Sequence, residues 1–269
     1  MTLYEIERLS YRYDRLTAID ALSLSIAEGS RVALVGANGS GKSTLLRILD
    51  GLSFGQEGAV RFRGEALTEE RFADDAFAFS FRRQVGLVFQ DADVQLFNPT
   101  VFDEVAFGPL QLGLPGREVR DRVSEALERF GIAHLKDRVP HRLSGGEKKR
   151  VALASVLVME PEVLLLDEPT AALDPRSQSR MIDLLVEWGG GNKSVITATH
   201  NLADLEDIAD RCIVLAGGRI AAEGAPEEIL GDRELLESAN LIHAHRHRHR
   251  SGEVHSHPHV HSGEAERGE

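Results

Sequence analysis

The feature that most constrains this chain is the run Gly36-Ala37-Asn38-Gly39-Ser40-Gly41-Lys42-Ser43, set between the apolar pentapeptide RVALV (31–35) and the helix-spaced stretch LLRILDGL that follows Thr44. A G-x4-G-K-[ST] run between a buried strand and a helix is a loop built to hold phosphate. Its glycines let backbone N–H groups close round phosphate oxygens, and the helix N-terminus adds its positive dipole end. Lys42 is placed to reach the β- and γ-phosphates, and the Ser43 hydroxyl suits Mg²⁺. Gly36, Asn38, Gly39, Ser40, Gly41 and Thr44 complete the expected phosphate-binding set. The loop also dictates architecture, because it needs its strand inside a sheet.

The rest of the chain meets that need. Tyr4, Ile6, Leu22, Leu24 and Ile26 alternate as strand residues do, and AVRFRG (59–64) and VGLVFQ (85–90) read as further strands. Residues 116–160 read mostly as helix with a break at LSGGE; VLLLDEP (163–169) is a buried strand stopped by Pro169. A helix over 176–188, the strand SVITATH, the helix NLADLEDIAD and the hairpin RCIVLAGG/RIAAEG follow. Strands alternating with helices predict an α/β fold with a mainly parallel sheet. Phe72, Phe77, Phe79 and Phe81 crowd a short segment that reads as a local apolar cluster, with a partner-contact arm as the alternative.

Charge and composition exclude some functions. A net charge of −12 with scattered basic residues argues against a nucleic-acid surface. The single cysteine, Cys212, excludes an internal disulfide and reads as a small buried residue. The start MTLYEIERLS lacks the apolar segment of a leader, and no apolar run approaches the ~18 residues that span a bilayer. Work at a membrane would therefore require docking on another protein.

A phosphate loop alone is compatible with kinases, GTPases and ATPases. Asp167-Glu168, delivered by four apolar residues at the end of a strand, narrows the choice: Asp167 suits the metal, and Glu168 can polarise a water. A water-activating glutamate favours hydrolysis over transfer to a second substrate.

Leu143-Ser144-Gly145-Gly146-Glu147, about twenty residues before that strand, resembles the signature of the ATP-binding-cassette ATPases, usually LSGGQ; Glu147 departs from it. Other elements fall in the same family's order: Gln90 as the Q-loop, Ala172-Leu173-Asp174 as the D-loop, His200 as the switch histidine and Tyr13 as the adenine-stacking aromatic, with Tyr11 as its competitor. The resemblance spans residues 1 to about 240. It implies the P-loop NTPase cassette fold with an antiparallel β subdomain, a helical signature subdomain at about 91–160, and a tail at 241–269. It also implies catalysis by Glu168, His200 and Gln90, with Mg²⁺ on Ser43, Gln90 and Asp167. ATP would be bound by Tyr13 and the phosphate loop, by Asp174, and by Ser144, Gly145 and Gly146, with Ser144 and Gly146 supplied by a second, head-to-tail cassette, which is the first expected partner.

The stretch after Gln90, DADVQLFNPTVFDEVAFGPLQLGLP, resembles the energy-coupling-factor branch of these transporters. That implies an integral membrane partner, a peripheral position on the cytoplasmic face of the cell membrane, and a docking groove with Val94, Leu96 and Phe97 exposed. Eight of the eleven histidines lie between His243 and His261 at every second position, in a tail whose composition predicts disorder. Clustered imidazoles chelate Ni²⁺ or Co²⁺. Arginines interleave the first cluster, so His255, His257, His259 and His261 are the expected tighter ligands. The expectation is an ATPase powering cobalt or nickel uptake. The alternatives are another importer of the same branch, for a vitamin or other ion, and a soluble non-transport ATPase; the latter usually carries two cassettes or a coiled-coil insertion.

Overall fold

The computed structural model describes residues 1–189, 193–248 and 254–260, with backbone alone over 243–248 and 254–260. Two long strands, β1 (Thr2–Tyr13) and β2 (Leu16–Ala27), pair antiparallel and are followed by β3 (Arg31–Val35) and helix α1 (Lys42–Leu49). Next come β4 (Glu57–Phe62), β5 (Glu65–Ala66), α2 (Glu69–Phe72), α3 (Asp75–Gln84) and β6 (Val85–Val88). Helices α4 (Val101–Gln111), α5 (Gly116–Arg129) and α6 (Gly145–Leu157) precede β7 (Val163–Asp167), α7 (Pro175–Trp188) and β8 (Ser194–Thr199). The chain continues through α8 (Leu205–Ile208), β9 (Arg211–Ala216), β10 (Arg219–Gly224), α9 (Pro226–Gly231) and α10 (Arg233–Ser238) to β11 (Ile242–Arg248) and β12 (Val254–Val260).

Two sheets carry the body. One is antiparallel, in the order β2-β1-β4-β5; the other runs β10-β9-β3-β8-β7-β6, parallel throughout except for its β9–β10 hairpin edge. The alternating strands β1 and β2 have one face in the core, which is why their pattern has period two. By contrast, β7 is buried at every position because both its faces are covered. Its Leu164 and Leu166 join the core built with α4, α5 and α6, while Val163 and Leu165 join the core under the antiparallel sheet. On β3, Val32 and Leu34 face that second core, and Ala33 and Val35 face a third under α8–α10, with Cys212. These layers are the α/β cassette architecture expected from sequence.

The phenylalanine-rich segment is the apolar cluster: Phe81 is buried, and Phe62, Phe72 and Phe77 lie 5.1–6.3 Å from it, centroid to centroid, while Phe79 stays exposed. The helix expected over 201–210 shrinks to α8. Asn201 spends its side chain on the turn instead, accepting from the Ala203 N–H and donating to Asp204. The body's core also runs further than expected, with Leu241 and Ile242 buried.

Beyond that core, the expected structureless tail is a paired ladder over its described residues. The backbones of β11 and β12 run antiparallel, with His243 opposite His259, His245 opposite His257 and His247 opposite His255. The every-second-residue spacing of the histidines equals the strand period, so within each strand they occupy equivalent alternate positions. His261 lies outside the described residues, as do the side chains of His255, His257 and His259.

Candidate nucleotide site

Four segments converge at the carboxyl ends of the parallel strands: the phosphate loop after β3, Gln90 after β6, Asp167-Glu168 ending β7 and His200 after β8. Open α/β sheets place ligands at this edge. The loop is held tightly. A Cβ on Gly36 would strike Ser40 Oγ and Leu215 O, and Gly41, the N-cap of α1, has φ 108° with Ala18 O 2.5 Å from where a Cβ would stand. Lys42 is buried; its Nζ donates to Gly36 O (2.6 Å) and Ala37 O (3.2 Å) and lies 3.7 Å from Glu168 Oε1. Desolvation lowers its pKa, and the charges of Glu168 and Asp167 oppose that shift.

Glu168 takes the left-handed conformation (φ 48°), and its N–H donates to Ala198 O (2.9 Å), turning the chain sharply at the strand end. Its Oε1 is 2.8 Å from His200 Nδ1. Asp167 is buried, its pKa raised by desolvation and held down by the Ser43 hydroxyl, and its Oδ1 has no hydrogen-bond partner. An unpaired buried carboxylate oxygen beside a serine hydroxyl fits a hard divalent cation.

An open cleft of about 410 Å³ runs along this edge, lined by Tyr13, the loop from Asn38 to Thr44, Gln90 and Glu168, with Leu16 and Ala18 as unforeseen neighbours. Its volume suits a small-molecule site. Between the two candidate aromatics the structure favours Tyr13, which is exposed in the cleft, over Tyr11, which packs on the core and braces Tyr13 edge-on at 5.0 Å.

Ser144, Gly145, Gly146 and Asp174 do not line this cleft. They form a second group. Ser144 caps α6 and is exposed with Gly145, while Asp174 caps α7, accepting from the Arg176 and Ser177 N–H groups (3.1 Å each) and the Ser177 hydroxyl (2.6 Å). A Cβ on Gly146 would sit 3.6 Å from Leu173 and 3.7 Å from Ser177, so the two caps share one face.

Sequence reasoning missed the residues that tie the groups together. Lys149, on α6, donates to Glu168 O (2.9 Å) and Ala171 O (2.6 Å), and burial pulls its pKa down to about 8. Gln95 accepts from the Phe89 N–H (3.2 Å) and donates to Ala152 O (2.8 Å), fixing the Gln90 turn to α6. Asp204 accepts from Thr170 (3.1 Å) and Asn201 (2.8 Å), linking the turns after Glu168 and His200. In the stretch after Gln90, Val94 and Phe97 are exposed as expected, but Leu96 is core, 1% exposed, because it packs inward with Val101 and Val105. Phe107 and Leu110 extend the exposed apolar surface, and Phe107 meets Phe97 edge-on at 5.0 Å.

Comparison with known proteins gives the family. The sequence profile described as "ABC transporter" matches residues 19–171. The chain is similar to the nickel import ATP-binding protein NikO of Rhodobacter capsulatus, 51% identical over 242 residues that cover 89% of this chain and 95% of the relative. It is 43% identical to the energy-coupling factor transporter ATP-binding protein EcfA of Methanothermobacter thermautotrophicus, over 89% of this chain and 76% of the relative. Among solved structures it is similar to a dimeric ATP-binding cassette in a post-hydrolysis state with ADP and phosphate bound (TM-score 0.75, 28% identity, 83% of this chain and 99% of that one). Half-identity across nearly the whole of both chains, on this fold and with these motifs in order, makes one assignment: the chain belongs to the ABC transporter family, as an ATP-hydrolysing subunit.

Proposed function

We propose that this chain powers an energy-coupling-factor importer of nickel or cobalt ions, as one half of a two-cassette dimer on the cytoplasmic face of the membrane. The observation that carries the reading is the 51% identity to a nickel import ATP-binding protein over 95% of that protein. No described helix is long and apolar enough to cross a membrane, so contact with the membrane component falls to a surface. Val94, Phe97, Phe107 and Leu110 supply an exposed apolar one beside the Gln90 turn.

In the proposed cycle, the adenine of ATP stacks on Tyr13 and its phosphates lie in the Gly36–Thr44 loop. Lys42 leaves the Gly36 and Ala37 carbonyls for the β- and γ-phosphates. Ser43, Asp167 and Gln90 would hold Mg²⁺, which would neutralise charge on those phosphates. Glu168 takes a proton from the attacking water as the γ-phosphorus–oxygen bond to ADP breaks, and His200 holds the carboxylate through Oε1. Ser144, Gly145 and Gly146 of one cassette, with its Asp174, close over the ATP of the other; the absence of all four from the chain's own cleft supports this. Release of phosphate removes contacts across the interface and lets it reopen.

The tail reading is that its histidines hold cargo metal. The ladder register supports contributions from both clusters, since three histidine pairs occupy opposed positions and Arg246 and Arg248 occupy the alternate ones. Nickel or cobalt uptake by cells carrying the membrane components should be lost in Glu168→Gln; uptake unchanged in that variant would overturn the cargo assignment. For the tail, Ni²⁺ titration should show weaker binding once the chain is cut after Ile242, and equal affinity would remove the tail from the account.

A further inference from the structure

Glu147 stands where the family signature carries glutamine, and its carboxylate has a definite occupation. Glu147 Oε2 accepts from both the Ser144 backbone N–H and the Ser144 hydroxyl, each at 2.8 Å, while Ser144 Oγ accepts from the Glu147 N–H at 3.4 Å. The reciprocal bonds make a capping box at the start of α6. The two Ser144 donors hold the Glu147 carboxyl below the usual carboxylate range, with Arg150 and His134 adding smaller effects, so it is ionised at neutral pH. An ionised carboxylate only accepts. The single hydroxyl proton of Ser144 therefore points into its own chain.

The two neighbouring lysines are occupied elsewhere. Lys148 Nζ donates to both carboxylate oxygens of Asp93 (2.6 and 2.9 Å), and Lys149 is turned into the 168–171 turn. Ser144 itself is exposed at the helix start, on the face that carries Gly145 and Asp174. A glutamine in this position would still close the capping box. Its neutral amide would hold the hydroxyl by an ordinary bond, roughly half as strong as the charge-assisted one.

We propose that Glu147 is a positioning residue that restrains the Ser144 hydroxyl, and so raises the ATP concentration at which two cassettes close on each other. The proposal rests on the two-cassette reading above. One hydroxyl proton serves either Glu147 or a γ-phosphate oxygen held by the second chain, so closure must first break a charge-assisted bond. Replacing the carboxylate with an amide of the same length removes that restraint and keeps the helix cap.

The test uses the full chain carrying Glu168→Gln, with and without Glu147→Gln, and follows dimer formation by light scattering as ATP is raised. The midpoint should fall about tenfold with Glu147→Gln. In the hydrolytically competent chain, Glu147→Gln should lower KM for ATP by a similar factor and leave kcat within twofold. A residue that only stabilised α6 would lower the melting temperature and leave the midpoint unchanged or raised, and either midpoint result overturns the proposal. A Glu168→Gln parent that forms no dimer at any ATP concentration overturns the two-cassette reading, and this proposal with it. A parent that dimerises without a shift overturns the proposal alone.

Discussion

The cleft around Lys42 and the face around Ser144 are built on opposite principles. In the first, Lys42, Asp167 and Glu168 are nearly inaccessible, and burial penalises the charge of Lys42 and of Asp167, lowering the one pKa and raising the other. In the second, Ser144 and Asp174 are exposed, each caps a helix, and their side-chain hydrogen bonds stay within three residues. Burial in the first region preorganises charges for the chemistry of one phosphate chain. Exposure in the second leaves that face open to a surface that arrives from outside. The contrast teaches that the two groups stay apart within one chain, which is why the proposed complete site takes its second half from another copy.

The largest effect expected from breaking the buried half is in turnover. Glu168→Gln removes the proton acceptor and should lower kcat by about 10²–10⁴ in an ATPase assay, while ATP-dependent dimerisation persists. Turnover close to the parental rate in that variant would remove Glu168 from the proton transfer. Tyr13→Ala should act on binding: losing a stacked base is worth about 1–3 kcal/mol, so KM for ATP should rise about tenfold or more with kcat little changed. On the exposed half, Asp174→Ala deletes an N-cap and should lower stability by about 1 kcal/mol, read from urea denaturation, with ATP binding by the isolated chain intact. A weakened ATP affinity in the monomer would break the division between the halves.

Lys149 joins the two regions and gives the smallest signal. Its folded pKa of about 8 lies below that of an unfolded lysine. The unfolded chain therefore holds more protons between pH 8 and about 10.4, and stability contributed at this position rises with pH across that window. The urea midpoint of the parent, relative to Lys149→Met, should increase from pH 8 to 10. A difference that stays flat would show that burial does not depress the Lys149 pKa.

Motifs confined to neighbouring residues were readable from sequence because their chemistry depends on local spacing. The phosphate loop needs its glycines and lysine in one run, and the apolar run at 163–166 reads as a buried strand, as the structure finds it. What escaped were residues defined by distant partners. Lys149 binds carbonyls 19 to 22 positions away, and Gln95 one 57 positions away; in isolation each is an unremarkable polar side chain on a helix or turn. Leu96 failed differently, since Val94, Leu96 and Phe97 are equally apolar and only packing against Val101 and Val105 decides which is core. In the tail, composition argued for disorder, whereas the described backbone pairs as an antiparallel ladder.

The central claim is that each hydrolytic site needs Lys42 and Glu168 from one copy and Ser144 from another. Mixing chains carrying Lys42→Ala with chains carrying Ser144→Arg tests it directly, because only a mixed dimer can build one complete site. Each variant alone should be inactive, and an equimolar mixture should regain about a quarter of parental ATPase activity if the two exchange freely in a twofold assembly. A Ser144→Arg chain as active alone as the parent, or a mixture no more active than its components, would contradict the account.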